Sequence, residues 1–358
     1  MKFRYPLLIA LFALFITACN KGDDDSGSSS SSSNSRKEVM TDMVNLWVMP
    51  QIDTFMNAAI AFETEVNDFT QNPTEAKLES LKASWLDLAK KWVPLECTNV
   101  GQIKYTYLYP KIYTYPANTT KIDELAASAV NINTVSNAPS AAIGLAALEY
   151  LLFEQGTTAQ LAKLQTLNYL DLLESTTAYL TLIGDDIADL WELNYGPVFA
   201  DNVGSGTDEP VALMFNGFIT ALESLKNYEV GEPIGASGNS TDSTLLRAYY
   251  SNKSKVITSA QLEGLIGLYY AGDKGYDLLI REMKLDYSET LADEVKAVFD
   301  TCITDLSATP SDWNNAVMSP DPSLETLHTD LTTLVRLNKS DVSSHLSLTI
   351  TLSDSDGD

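Results

Sequence analysis

Apolar residues spaced three and four apart constrain this chain more than any other feature. Leu78, Leu81, Trp85, Leu88 and Trp92 form one stripe on a helix whose other face is polar, the pattern of a helix buried along one seam. Asn72 can cap it, Pro73 stands at the first helical position, Glu75 supplies the acid of a capping box, and Pro94 ends it. The same spacing runs from Arg36 to Phe69 through Val44, Trp47, Val48, Phe55, Ala59, Phe62, Val66 and Phe69. It returns around 121–129, 139–153, 157–194, 208–228, 243–271, 276–307 and 322–341. Loops rich in Gly, Ser, Pro and Asp lie at 200–209, 229–243 and 308–322. Long helices joined by short loops predict an all-α fold of antiparallel bundles. A folded body this long suits two bundles side by side, expected over 36–156 and 157–345 with the split near 156. Two stretches depart from helical spacing. Tyr105, Tyr107 and Tyr109 alternate, as do Tyr113 and Tyr115 after Pro110, which predicts a β-hairpin-like segment near 103–115. Leu346-Ser-Leu-Thr-Ile-Thr-Leu352 also alternates, predicting a short C-terminal strand within 346–358, ahead of an acidic tail.

The N-terminus reads as an export signal over residues 1–18. Lys2 and Arg4 precede an apolar run from Pro6 to Phe15, and Ile16-Thr17-Ala18 follows. The run is well short of the roughly 20 residues that span a bilayer. Leu14 to Cys19 resembles the lipobox of bacterial lipoproteins, which implies lipidation of Cys19 and a membrane partner reached through that lipid. Residues 19–35, almost all Asn, Lys, Gly, Asp and Ser after the cysteine, read as a flexible linker. Gly22-Asp23-Asp24-Asp25 resembles the acidic signal that sends some lipoproteins to the cell surface. The expected location is the bacterial outer membrane, on its periplasmic or cell-surface face.

The formal charge is -25, and loss of Lys2 and Arg4 with the signal makes the mature chain two units more negative. Such a surface repels nucleic-acid phosphates and tolerates cations, so no nucleic-acid partner is expected. Beyond Cys19, only Cys97 and Cys302 remain. Cys302 extends an apolar stripe with Leu291, Val295, Val298 and Phe299, and Cys97 follows a helix end. A disulfide between them stays open, since two distant cysteines make no framework. The two histidines, His328 and His345, read as helix surface or local packing. No His-Glu-x-x-His, phosphate-binding glycine loop or dinucleotide fingerprint is present, and no Met/His/Cys cluster suggests copper or haem. Asp354-Ser-Asp-Gly-Asp358 begins like a calcium loop but lacks its later ligands.

Ala138 to Phe153 is apolar except for Ser140 and Glu149. Its core is too short to span a membrane and greasy on every side, so it should be a helix covered all round. Glu149 then needs a cation, an arginine such as Arg247 or Arg336, hydrogen-bond donors, or a raised pKa. Buried acids of this kind mark functional sites more often than other acids do.

Gly144-Leu-Ala-Ala-Leu-Glu149-Tyr-Leu-Leu-Phe153 resembles the motif helix of the imelysin-like family, Gly-x-His-x-x-Glu followed by an aromatic and leucines. The Thr74 to Glu96 helix with Trp85 and Trp92, Tyr115-Pro116, Gly231-Glu-Pro-Ile-Gly235, and Tyr250-Ser251-Asn-Lys-Ser254 are similar to further motifs of that family, in the same order. The resemblance covers roughly residues 39–358. It implies two helical bundles with a site between them, residence in the bacterial envelope, a link to iron uptake, and a family once filed as metallopeptidases. The chain departs from the motif at Ala146, where the family has histidine. A His and a Glu at i and i+3 share a helix face, whereas alanine offers neither ligand nor base. The resemblance therefore implies ligand-binding residues Glu149, Glu96, Ser251, Ser254 and Arg247, and no catalytic residue. Iron or another divalent cation is the implied cofactor, a metal or an envelope protein the implied partner. Arg247, near a position where many relatives carry an acid, would replace a metal with a salt bridge. The first reading is a non-catalytic envelope binding protein. The alternatives are a metal-dependent peptidase, and a surface module gripping glycan or protein through Tyr105 to Tyr115.

Overall fold

A computed structural model describes residues 29–201 and 206–351; the signal segment, Cys19 and the acidic tail lie outside them. Helices and helical turns account for every regular element among the described residues. The first begins at Ser29 and runs to Met43, so the expected linker over 19–35 ends earlier than its composition indicated. The seam helix runs Glu75–Trp92, and its cap is Thr74, whose hydroxyl accepts the Lys77 N–H. Its stripe from Leu78 to Trp92 is fully buried.

Met49–Gln71 and Glu75–Trp92 pair antiparallel, and Tyr169–Asp189 lies along the first of them. Gly144–Phe153 and Thr157–Leu164 complete this bundle. The expected split at 156 therefore does not separate packing units. Residues 154–156 form a tight turn inside one bundle, because the helices after it pack back on Met49–Gln71 and Glu75–Trp92. Beyond it, Pro210–Ser224, Ser254–Tyr270, Tyr276–Glu282, Ser288–Ala308 and Pro322–Leu337 form the second bundle. The N-terminal helix crosses to that second half, where Arg36 grips Glu209 at 2.8 and 3.0 Å and donates to the Leu346 carbonyl.

Both expected β segments are corrected. Residues 101–106 form a 3-10 turn and Tyr109–Ile112 a helical turn. The tyrosine alternation records exposed Tyr105 and Tyr107 against buried Tyr109 and Tyr113, not a sheet. The C-terminal alternation is real in burial, since Leu346 and Leu348 face the core. Its last residues are met by one side chain: the Asn216 amide donates to the Thr349 carbonyl at 2.9 Å and accepts the Thr351 N–H at 2.8 Å. An amide side chain thus supplies the pair of bonds a neighbouring strand would offer, and no sheet forms. Cys97 and Cys302 are both buried and free.

Candidate functional site

Glu149 is delivered by a helix that is covered all round, with every residue from Gly144 to Leu152 buried. The helix starts at Gly144, whose φ is +65° and whose place leaves no room for a side chain: a Cβ would lie 2.3 Å from the Ile112 carbonyl oxygen. Two residues later Ala146, 1% exposed, presents only a methyl group on this covered helix. Glu149 then reaches out of the first bundle into the second, where Ser251 meets it. The Ser251 N–H donates to Glu149 Oε1 at 2.8 Å and the Ser251 hydroxyl donates to the same oxygen at 2.9 Å. Neither Arg247 nor Arg336 pairs with it, contrary to two of the expected partners; Arg336 lies near Asp341. With neutral donors only, burial pushes the Glu149 carboxyl up to about 7, and the Ser251 and Tyr250 amides offset part of that rise.

Arg247 occupies the other half of the interface. Its Nη1 donates to both Glu96 oxygens at 3.0 Å and its Nη2 to Oε2 at 3.0 Å. Glu229 Oε1 stands 3.2 Å from Nη2, close enough for charge attraction but not aligned as a hydrogen bond. Thr258 and Gln261, on the helix Ser254–Tyr270, donate to Glu229 and Glu96 respectively. The guanidinium lies 4.9 Å from the Tyr113 ring centre and 4.6 Å from that of Tyr115, distances at which an aromatic face attracts a cation. One arginine balances one carboxylate. Burial accordingly pushes the deeper acid, Glu229, up to about 7, with Arg247 opposing and Glu96 adding to the rise.

Of the residues expected to act together, Glu149 and Ser251 form one pair, and Glu96 and Arg247 another. Tyr113 lies within electrostatic reach of both Glu149 and Arg247. Ser254 is buried at the start of its helix with its hydroxyl unpartnered in the described structure. Sequence reasoning missed Glu229. It sits on a π-helical turn, Leu225–Gly231, whose wider spacing turns it inward. Its place two residues before the Gly231 motif was the only available signal. A cavity of about 340 Å³ opens between the bundles, lined by Glu96, Arg247, Asn99, Tyr113, Tyr115 and Tyr228 among others. Glu149 and Ser251 lie outside its lining.

The donor set does not suit a resident cation. A guanidinium already stands between Glu96 and Glu229. Glu149 is saturated on one oxygen by Ser251, and no cluster of three or more His, Cys, Asp or Glu capable of holding a metal occurs among the described residues.

The family model described as Peptidase M75, Imelysin matches residues 48–340. No curated protein matches the chain. Among solved structures, it is similar to an imelysin-like protein from Psychrobacter arcticum 273-4, with 20% identity, a TM-score of 0.73, and coverage of 89% of this chain and 98% of that one. It is also similar to a putative iron-regulated protein A precursor from Parabacteroides distasonis ATCC 8503, at 15% identity and a TM-score of 0.74, covering 88% of this chain and 95% of that one.

Proposed function

The chain belongs to the imelysin family, and on that premise we propose that it is a membrane-tethered, non-catalytic binding protein of the bacterial envelope, serving iron or metal uptake. Its ligand sits in the cleft between the bundles and is not a bare ion held by the chain's own carboxylates. The observation that carries this reading is Arg247, fixed between Glu96 and Glu229 where a cation site would need an empty space. Ala146 supports it by removing the histidine that would work with Glu149. The likeness to an iron-regulated protein A precursor supports the link to iron, and the lipobox resemblance at Cys19 supports the tether.

Two measurements test this. Lipid-free chain beginning at Asn20 is incubated with casein, with and without chelator. No cleavage is expected; cleavage that chelator stops, and that Glu149→Gln abolishes, would establish the peptidase reading instead. Cys19→Ala is expected to move the protein from the membrane fraction to the soluble fraction, and retention in the membrane would exclude the lipid tether. A second reading, glycan binding by surface aromatics, is favoured by Tyr105 and Tyr107, which are 73% and 69% exposed, as sugar rings require. Tyr109 belongs to the core and cannot share that role. Glycan retention that persists in the Tyr105→Ala, Tyr107→Ala double variant would end this reading.

A further inference from the structure

Beyond the wall formed by Tyr228 and Glu232, a second cavity of about 380 Å³ adjoins the cleft, lined by Lys226, Asn227, Ser237 and His328. It lies where the π turn Leu225–Gly231 faces the helix Pro322–Leu337. The motif glycine Gly231 makes this packing possible: a Cβ there would stand 3.0 Å from His328 Nε2 and 2.9 Å from the Lys226 carbonyl oxygen. The imidazole therefore folds against bare backbone and remains at the cavity. Lys226 has no acid partner among the described residues, although the chain carries 48 acids against 23 bases. Its charge, after burial, is what disfavours protonation of His328. Glu232 is the one acid in the lining, and it is exposed. The Thr332 hydroxyl, also in the wall, is engaged with the His328 carbonyl, leaving Asn227 and Ser237 as neutral donors.

We propose that this notch is an anion subsite that takes a carboxylate or phosphate group between Lys226 and His328. The inference goes beyond the cleft reading and does not rest on it. Burial and the Lys226 charge disfavour a positive charge on His328, and an anion between the two would pair with the lysine and relieve that opposition. The chain's overall negative charge does not forbid this, because at physiological salt exposed charges farther than a Debye length of about 8 Å are largely screened.

The two histidines make the test direct. Their ring resonances are titrated by NMR in the lipid-free chain, with inorganic phosphate and, separately, citrate, at constant ionic strength. Bound anion is expected to raise the His328 pKa while His345, hydrogen-bonded to Ser288, does not move. A response to phosphate alone or citrate alone assigns the anion class. In Lys226→Met, His328 is expected to start from a higher pKa and to lose at least ten-fold in anion affinity. Circular dichroism shows whether the variant remains folded, and the wild-type titration stands without it. A His328 pKa indifferent to both anions, or shifts of equal size at His328 and His345, would overturn the proposal.

Discussion

The two halves of the interface solve one problem by opposite means. In one, Glu149 is buried and met by neutral donors, among them the Ser251 amide and hydroxyl. In the other, Glu96 and Glu229 are met by a full charge, Arg247. Neutral donors offset only part of the cost of burying Glu149, so burial holds its carboxyl up at about 7. A charge pair is anchored more firmly but fails abruptly if one member is lost, because the survivor is left charged and buried. The difference teaches which half depends on a charged partner: the Arg247 side is held by a buried charge pair, and the Glu149 side by neutral donors alone.

The largest effect should come from the clamp. Arg247→Met is expected to destabilise the fold by roughly 3–5 kcal/mol, the usual cost of leaving buried charge without its partner, measured by denaturant unfolding at neutral pH. A loss under about 1 kcal/mol, typical of exposed pairs, would make the cluster ornamental and erase the contrast.

The second effect belongs to the proton. The Glu149 carboxyl lies near 7 in the fold and near 4.5 when unfolded. Between those values the native state holds the extra proton, so stability falls as pH rises from about 4.5 to 7. Glu149→Gln, which stays neutral, should flatten that slope and be the more stable protein at pH 8, by up to about 3 kcal/mol. Glu229 adds a slope of the same sign, so the variant's curve should retain part of the fall. Parallel curves for wild type and variant would place Glu149 outside the titration.

Ala146→His comes next, expected to cost roughly 1–3 kcal/mol through overpacking, because the neighbourhood of Ala146 is fully covered. A neutral result would mean the helix has room for a histidine at this position. The smallest contrast lies within the paired-serine motif. Ser251→Ala removes a hydroxyl donor to Glu149 and should cost about 1–2 kcal/mol. Ser254→Ala removes a buried hydroxyl with no partner and should cost nothing or stabilise by roughly 1 kcal/mol. Equal costs would show that the two serines share one role.

Much of this architecture was legible because burial leaves a period in the sequence. The Leu78 to Trp92 seam followed from that period, and the all-round burial of the Glu149 helix from its absence in a stretch apolar on every side. What stayed hidden arose where backbone geometry, not side-chain pattern, decided. The spans 157–194, 243–271 and 276–307 read as single helices. Each is broken at residues in the left-handed region, Leu167, then Ala248 and Asn252, then Lys284, where no glycine or proline gives warning. The Ala248 and Asn252 break turns Ser251 toward Glu149, so the hidden feature is part of the site itself. Glu229 was obscured in the same way, by a π turn that shifts its face. Alternation misled at both tyrosine and leucine segments because period two reports which side is buried, not what pairs with the backbone. The boundary at 156 was misplaced for a third reason: a short polar turn looks the same whether it joins two helices of one bundle or two bundles.

The central claim is that Arg247 holds the place a cation would need. Calorimetric titration of the lipid-free chain with ferrous, zinc and calcium ions tests it most directly. No saturable binding at the interface is expected for any of the three. Stoichiometric binding of one ion that disappears in both Glu96→Gln and Glu149→Gln would contradict it.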